Sequence, residues 1–409
     1  MTAPRTDKRL VLLTLALALC LAGTAGVWAD VEADFDRAYA AYEQHTQAND
    51  TEPALAAAKD ALRFGSKVFG KDSVNTANLA TNYATLLNDT GEFKKARSTL
   101  KGKLNNLERR YGEDATELVN MLIQLGRAAK RANSSIEYFE RAARLSEGYD
   151  NNLLEAQKNF DIAAILLRRG GSALIEPYID RAYDIYADRL QGDDFRLGFM
   201  AYHKAQWAIA QSRHGDAIGY LQTSLTAFKT PAGDPLGDLE RTVRLLLIES
   251  FETLGQSAAA TEHCLAVGAK QRWTLSPEPL YKQEPVFPMA AIKDQMNGEV
   301  TLSFTIDEQG FVVNPTVAES DQTIFNDTAL AMVQGFRYAP RFVDGNPVAT
   351  AEMEYTASFA FAPANSGKVN FQRPPLPGFA QPDFNDRSLC GQDVPVNAGQ
   401  CDGIGSVPK

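Results

Sequence analysis

Residues 335–348 read GFRYAPRFVDGNPV. An aromatic–Arg–aromatic triplet, Phe336-Arg337-Tyr338, runs into Pro340, and Asp344-Gly345-Asn346-Pro347 follows. The segment before it is helical in pattern. Phe325, Ala329, Val333 and Phe336 share one face, Leu330 and Met332 lie alongside, and Ser320 or Asp321 is expected to cap the start. Pro340 is expected to stop that helix. Phe336 and Tyr338 are expected to anchor its end against a sheet, Arg337 to pack or pair, and Gly345 and Pro347 to shape the next turn. After the turn, Ala351–Phe361 alternates apolar and polar residues without a break.

Upstream, Gly298–Ile306 alternates as cleanly, with Val300, Leu302, Phe304 and Ile306 on one face. Asp307-Glu308-Gln309-Gly310 has the composition of a hairpin turn. Phe311-Val312-Val313 begins a return strand in which Pro315 disfavours a central position. Pro285-Val286-Phe287-Pro288 leads into a short helix, Met289–Gln295. The order helix, strand, strand, helix, strand predicts a small α+β domain on a three-stranded antiparallel sheet.

Residues 285–362 resemble the C-terminal domain of the TonB family. The family pattern is carried by Pro285, Phe287, Pro288 and Ala291; by Gly298, Val300, Leu302 and Phe304; by Asp307 and Gly310; by Phe336, Arg337, Tyr338 and Pro340; and by Gly345, Pro347 and Val348. The resemblance implies that a sheet edge pairs with a short periplasmic segment of an outer-membrane TonB-dependent transporter. The last strand is the expected edge, at Met353, Glu354, Tyr355, Thr356, Ala357, Ser358 and Phe359. Main-chain hydrogen bonds would give affinity, and alternate side chains selectivity. The alternatives are that this strand is only core, or that it pairs with a second copy in a homodimer.

The chain departs from the family. Helical repeats stand where the family has a long Pro/Lys-rich spacer, and the N-terminal apolar run holds no His. Residues 285–362 carry ten acidic and three basic side chains, a net of −7, which suits a basic or neutral partner segment.

Residues 31–272 read as helix after helix, including Ser73–Thr90 and Glu92–Tyr111. The stretch Asn82–Ala96, NYATLLNDTGEFKKA, places a glycine between helices and small residues, Ala84 and Ala96, where two helices approach. Similar breaks occur at Gly170, Gly215 and Gly255, and a further one is expected near Ala132-Asn133, a period of about 40 residues. The stretch resembles lengthened tetratricopeptide (TPR) repeats. This predicts a mostly α protein: a TPR-like α-solenoid, with an unidentified protein partner, ahead of the TonB-type domain. The alternative is a non-repeating bundle. Residues 273–284, with Pro277 and Pro279, read as a linker.

The start of the chain reads as an export signal over 1–29. Arg5, Lys8 and Arg9 precede the apolar run Leu10–Leu21, and Val27-Trp28-Ala29 offers a cleavage site. The periplasm is the expected location; an uncleaved start would anchor the chain in the inner membrane as an energy transducer. The tail, 363–409, reads as mostly disordered, with Cys390 and Cys401 as a candidate disulfide and Cys264 as a buried thiol.

The 409 residues carry a net charge of −10, a poor match to nucleic acid. The four histidines form no metal or nucleophile motif. No catalytic residue, metal site or cofactor is expected. The sequence thus leads to a non-enzymatic adaptor, or to an envelope scaffold in which the helical array is the main binding surface.

Overall fold

The computed structural model describes residues 30–168, 173–231 and 233–360. The expected signal segment 1–29, the tail 363–409 with Cys390 and Cys401, and the break at Gly170 lie outside the described residues. Two compact units divide the described chain, with the boundary after Tyr178.

The first unit is built from helices α1 (30–47), α2 (Thr51–Val68), α3 (Val74–Asp89), α4 (Phe93–Tyr111), α5 (Val119–Ala128), α6 (Ala132–Ser146) and α7 (Asn152–Arg168). Successive helices pack as antiparallel hairpins. Ala84 and Ala96, both fully buried, let α3 and α4 approach. The helix ends lie close to the expected ones: Ser73 caps α3 by accepting from the Thr76 amide at 3.1 Å, and Glu92 precedes α4. Neighbouring hairpins are joined by polar contacts, such as Arg127–Asp89 at 2.6 Å and Arg141–Glu108 at 2.6 Å.

The turn at Gly91 recurs. The Glu92 amide donates to the Leu87 carbonyl at 2.6 Å and the Gly91 amide to Asn88 at 3.2 Å, with Gly91 at φ +78°. This is a Schellman stop, which needs a left-handed residue. The same pair of bonds closes turns at Asn49, Ser212 and Gly255. Asn49 to Gly91 and Ser212 to Gly255 are 42 and 43 residues apart. The expected break at Gly215 is therefore displaced: Gly215 lies inside the following helix, and Ser212, at φ +58°, makes the turn. Ala132 begins α6, and Ala129 leaves α5 in an extended conformation, so that turn has a different form.

The second unit begins within α8 (Glu176–Arg189) and continues through α9 (Phe195–Ala210), α10 (His214–Phe228), α11 (Asp238–Thr253) and α12 (Ser257–Lys270). It ends in the C-terminal domain: α13 (Met289–Lys293), β1 (Gly298–Ile306), β2 (Val312–Ser320), α14 (Asn326–Gln334), β3 (Arg341–Val343), β4 (Asn346–Val348) and β5 (Thr350–Phe359). The sheet is antiparallel in the order β2-β1-β5. Val300, Leu302, Phe304 and Ile306 form the centre of its buried face, and α14 covers that face with Ala329, Met332 and Val333. The Asp307 carboxylate accepts from the amides of Gln309 and Phe311, and Gly310 at φ +86° completes the hairpin.

Three local expectations are corrected. Helix α14 stops at Gln334, capped by Gly335, so Pro340 ends no helix and 336–340 is extended. Asp321 does not cap α14; it accepts from the Glu299 amide at 2.8 Å and ties the end of β2 to β1. Asp344 and Gly345, both at positive φ, close a separate two-stranded hairpin, β3–β4.

A buried polar cluster holds the last hairpins of the array together. Glu240, with no exposed surface, pairs with Arg244 at 2.7 Å and Lys270 at 3.2 Å and accepts from the Thr230 hydroxyl at 2.6 Å. Burial alone would raise the Glu240 pKa, but bonds from Thr230, Arg244 and Lys270 hold it down at about 2. His263, 3.2 Å from Arg244, is pushed down to about 4 by burial and by the neighbouring cation.

Glu240→Ala would leave two cations without their carboxylate and is expected to cost about 3–5 kcal/mol in chemical denaturation. Both depressed pKa values give one sign. The His263 contribution is complete above about pH 6.5 and is lost as pH falls towards 4; that of Glu240 is lost lower, towards 2. Denaturation midpoints are expected to fall between pH 7 and pH 4, and less steeply in His263→Gln.

Candidate functional site

Among the described residues, β5 has the longest regular pairing. From Gly298↔Phe359 to Phe304↔Met353 its register with β1 is unbroken. Met353, Ala357 and Phe359 point into the core, Tyr355 is half-buried, and Glu354, Thr356 and Ser358 are exposed. Two exposed side chains are held by β1: the Thr356 hydroxyl lies 3.0 Å from that of Thr301, and Ser358 donates to Glu299 at 2.9 Å. Among the described residues β5 has no strand on its other side.

β2, the opposite edge, differs. Its pairing with β1 slips twice, once across Ala318 and once across Asn314-Pro315, where Asn314 takes φ +52°. Bulges and proline spoil an edge for further pairing. The irregularity of β5 is confined to its start, where Glu352 sits at φ +58° ahead of Met353. The alternating side chains of 353–359 thus have two tasks: one set fixes the strand in the core, and the other lines its exposed face.

The motif residues support this strand. Phe287 packs between Phe325 and Phe359, with ring centroids 5.3 and 6.1 Å away, and Pro285 flanks it half-buried. Pro288 precedes α13. A Cβ on Gly298 would meet the Phe325 ring at 2.6 Å, so glycine is needed at the start of β1. A Cβ on Gly310 would meet the Tyr338 carbonyl at 2.2 Å. Phe336 meets Tyr355 edge-on at 5.1 Å, and Tyr338 leans on Phe304 at 5.8 Å.

Arg337 pairs, as its neighbours imply, but with a residue outside the C-terminal domain. Its side chain is 1% exposed and forms an ion pair with Glu252 on α11. It also donates to the Ser257 carbonyl at 3.2 Å, the Thr261 hydroxyl at 2.8 Å and the Gln309 carbonyl at 3.1 Å, and it lies over the Phe311 ring at 3.7 Å. Ser257 donates to the second oxygen of Glu252 at 2.6 Å. The Arg337 main chain also bridges to Tyr281 and Phe311. Residues 273–284 are therefore fastened to the domain along part of their length: Tyr281 pairs with Arg337, and Trp273 packs on the domain's core. Nearby, Pro340 sits buried above Gly268 of α12, where a Cβ would meet its carbonyl at 2.5 Å. Cys264, on the same helix, is a buried free thiol whose pKa burial pushes up to about 12.

The sequence reading missed Glu252, Thr261 and Tyr281. A signal for the first was present: an arginine set between two core aromatics needs a buried carboxylate. Nothing local says which of the chain's acids supplies it.

Residues 283–362 match the family model described as Gram-negative bacterial TonB protein C-terminal. No curated protein matches the chain. Among solved structures, the chain is similar to BtubC (BKLC) from P. vanneervenii, at 14% identity, 57% of this chain, 87% of that one and TM-score 0.39. It is also similar to the Podosopora anserina putative kinesin light chain with nearly identical TPR-like repeats, at 14% identity, 49% of this chain, 97% of that one and TM-score 0.41. PilW, a type IV pilus biogenesis factor, gives 17% identity, 59% of this chain, 95% of that one and TM-score 0.38.

Arg337→Met, which leaves Glu252 buried without its cation, is expected to lower stability by about 3–5 kcal/mol. Adding Glu252→Met is expected to restore part of that loss, giving a coupling of about 0.5–3 kcal/mol in a double-mutant cycle read by chemical denaturation. Additive effects would mean that the pair does not couple the array to the domain.

Proposed function

We propose that the chain is a non-enzymatic envelope adaptor of TonB type. The C-terminal domain takes up an extended segment of a partner protein by strand addition at the outer edge of β5. The partner is an outer-membrane transporter exposing a basic or neutral periplasmic segment, and the helical array is a second protein-binding surface. The chain works in the periplasm after export by residues 1–29. The observation that carries this reading is the contrast between the two edges: β5 is regular over 353–359, whereas β2 is broken by two bulges and Pro315. Strand addition takes its affinity from main-chain bonds, which require an unbroken edge. The exposed Glu354 and the domain's acidic balance favour a basic segment.

A second reading is an envelope scaffold in which the domain only completes the array. The Arg337–Glu252 contact supports it, because that contact joins the domain to the terminal hairpin α11–α12.

The two readings separate in a binding experiment with a peptide from the periplasmic segment of a candidate transporter. Saturable binding is expected, with loss of at least about tenfold in affinity, about 1.4 kcal/mol, for proline at alternate positions of 353–359. Proline at Val317 on β2 is expected to leave it unchanged. Affinity indifferent to the β5 substitutions would remove the strand-addition mechanism and leave the scaffold.

A further inference from the structure

The chain is acidic as a whole, at a net of −10, but its charge is unevenly spread. Residues 51–111, which hold α2, α3 and α4, carry eleven basic and six acidic side chains, a net of +5. α4 alone sets seven basic side chains against Glu108. Most acids of this stretch are already taken. Asp60 pairs with Arg63 at 3.0 Å, Asp89 with Arg127 at 2.6 Å, Glu92 with Lys95, and Glu108 with Arg141 at 2.6 Å. Asp72 accepts from the side-chain amide of Asn106. Among the described residues, Lys59, Lys67, Lys71, Lys103, Arg109 and Arg110 form no ion pair.

These cations share one face. Lys59, Arg63 and Lys67 recur at every fourth residue and are exposed, so they line one side of α2 over about 12 Å. The other side of α2, with Ala54, Ala58, Ala61 and Gly65, is buried. The second half of α4 continues the face, because it reaches the turn that follows α2. There Lys103 donates to the Lys71 carbonyl and Arg110 to that of Asp72, the latter at 3.4 Å. Aromatic rings are set among the cations. Arg63 and Lys67 lie over Phe64, at 4.2 and 5.8 Å, and Arg110 lies over Tyr111, which is 40% exposed, at 5.4 Å.

We propose that this face of α2 and α4 docks on the surface of an anionic phospholipid bilayer. A row of cations with no counter-charge of its own is complementary to a layer of phosphate headgroups. Lysine and arginine stems interleaved with Phe and Tyr are also the composition that sits at a membrane–water interface, with polar tips in the headgroups and apolar bodies below them. The remaining residues carry a net of −15, the difference between −10 and +5. The same surface repels them, so the field turns α2 and α4 towards the bilayer. The contact uses no residue of β5 and holds or fails whatever that strand binds.

The test is co-sedimentation of the full chain with vesicles of mixed phosphatidylglycerol and phosphatidylcholine, set against vesicles of phosphatidylcholine alone. Binding through the apolar run Leu10–Leu21 is common to both, so the ratio of the two isolates the charged face. At low salt, wild type is expected to prefer the anionic vesicles by at least about tenfold, and to lose that preference near 1 M salt, where charges are screened within about 3 Å. Lys67→Glu/Arg110→Glu is expected to abolish the preference, and the milder Lys67→Gln/Arg110→Gln to lower it by at least about threefold. Arg272→Glu/Lys293→Glu, an equal change of charge elsewhere on the surface, is expected to keep it. Equal partition of wild type into both vesicles would overturn the proposal. So would loss of the preference in the Arg272/Lys293 variant, which would reduce it to net charge. Binding of polyglutamate without a vesicle preference would assign the face to an acidic protein and likewise overturn it.

Discussion

Arg337 is a permanent cation at a position with 1% exposure. Within its own domain it finds the Gln309 carbonyl and the face of Phe311, and neither neutralises a charge. A buried ion without a counter-ion costs several kcal/mol, so the cation requires a carboxylate from elsewhere. Glu252 supplies it from α11, with Ser257 holding the carboxylate's other oxygen at the turn into α12. The arginine's main chain holds the segment before the domain and the residue just ahead of β2, through the bridges to Tyr281 and Phe311. One residue thus joins three parts of the second unit: the terminal hairpin of the array, the segment before the domain, and the sheet.

That joint determines what the sheet can offer. With residues 336–340 extended and buried, Phe336 and Tyr338 pack against Tyr355 and Phe304, so the buried face of β5 is filled. What remains available on β5 is its outer main chain and the exposed Glu354, Thr356 and Ser358. The bulges and Pro315 on β2 leave only one edge of the sheet regular.

Much of this was legible in the sequence because it rests on local patterns. Alternation at 298–306 and from 351 onward pointed to β1 and to β5, which runs to Phe359, and to their buried faces; helical spacing with glycine stops pointed to the hairpins around Gly91 and Gly255. The parts that were not legible depend on choices the local sequence leaves open. Asn49 and Ser212 adopt left-handed turns that glycine makes elsewhere, so the repeat is regular in turn geometry and irregular in residue type. Helix α14 stops at Gln334, well before the proline, because Arg337 and Tyr338 are needed in an extended run that bonds to Tyr281 and Gly310. Glu252 lies 85 residues from Arg337, and no periodicity marks a pair that distant.

The central claim is that the C-terminal domain and the hairpin α11–α12 form a single cooperative body held through Arg337. Native-state hydrogen exchange across a denaturant series tests it most directly, because it reports which segments open together. The account predicts that the most protected amides of α12 and of β1 converge on one opening free energy and one denaturant dependence. Protection of α12 persisting at denaturant concentrations where β1 already exchanges freely would contradict it.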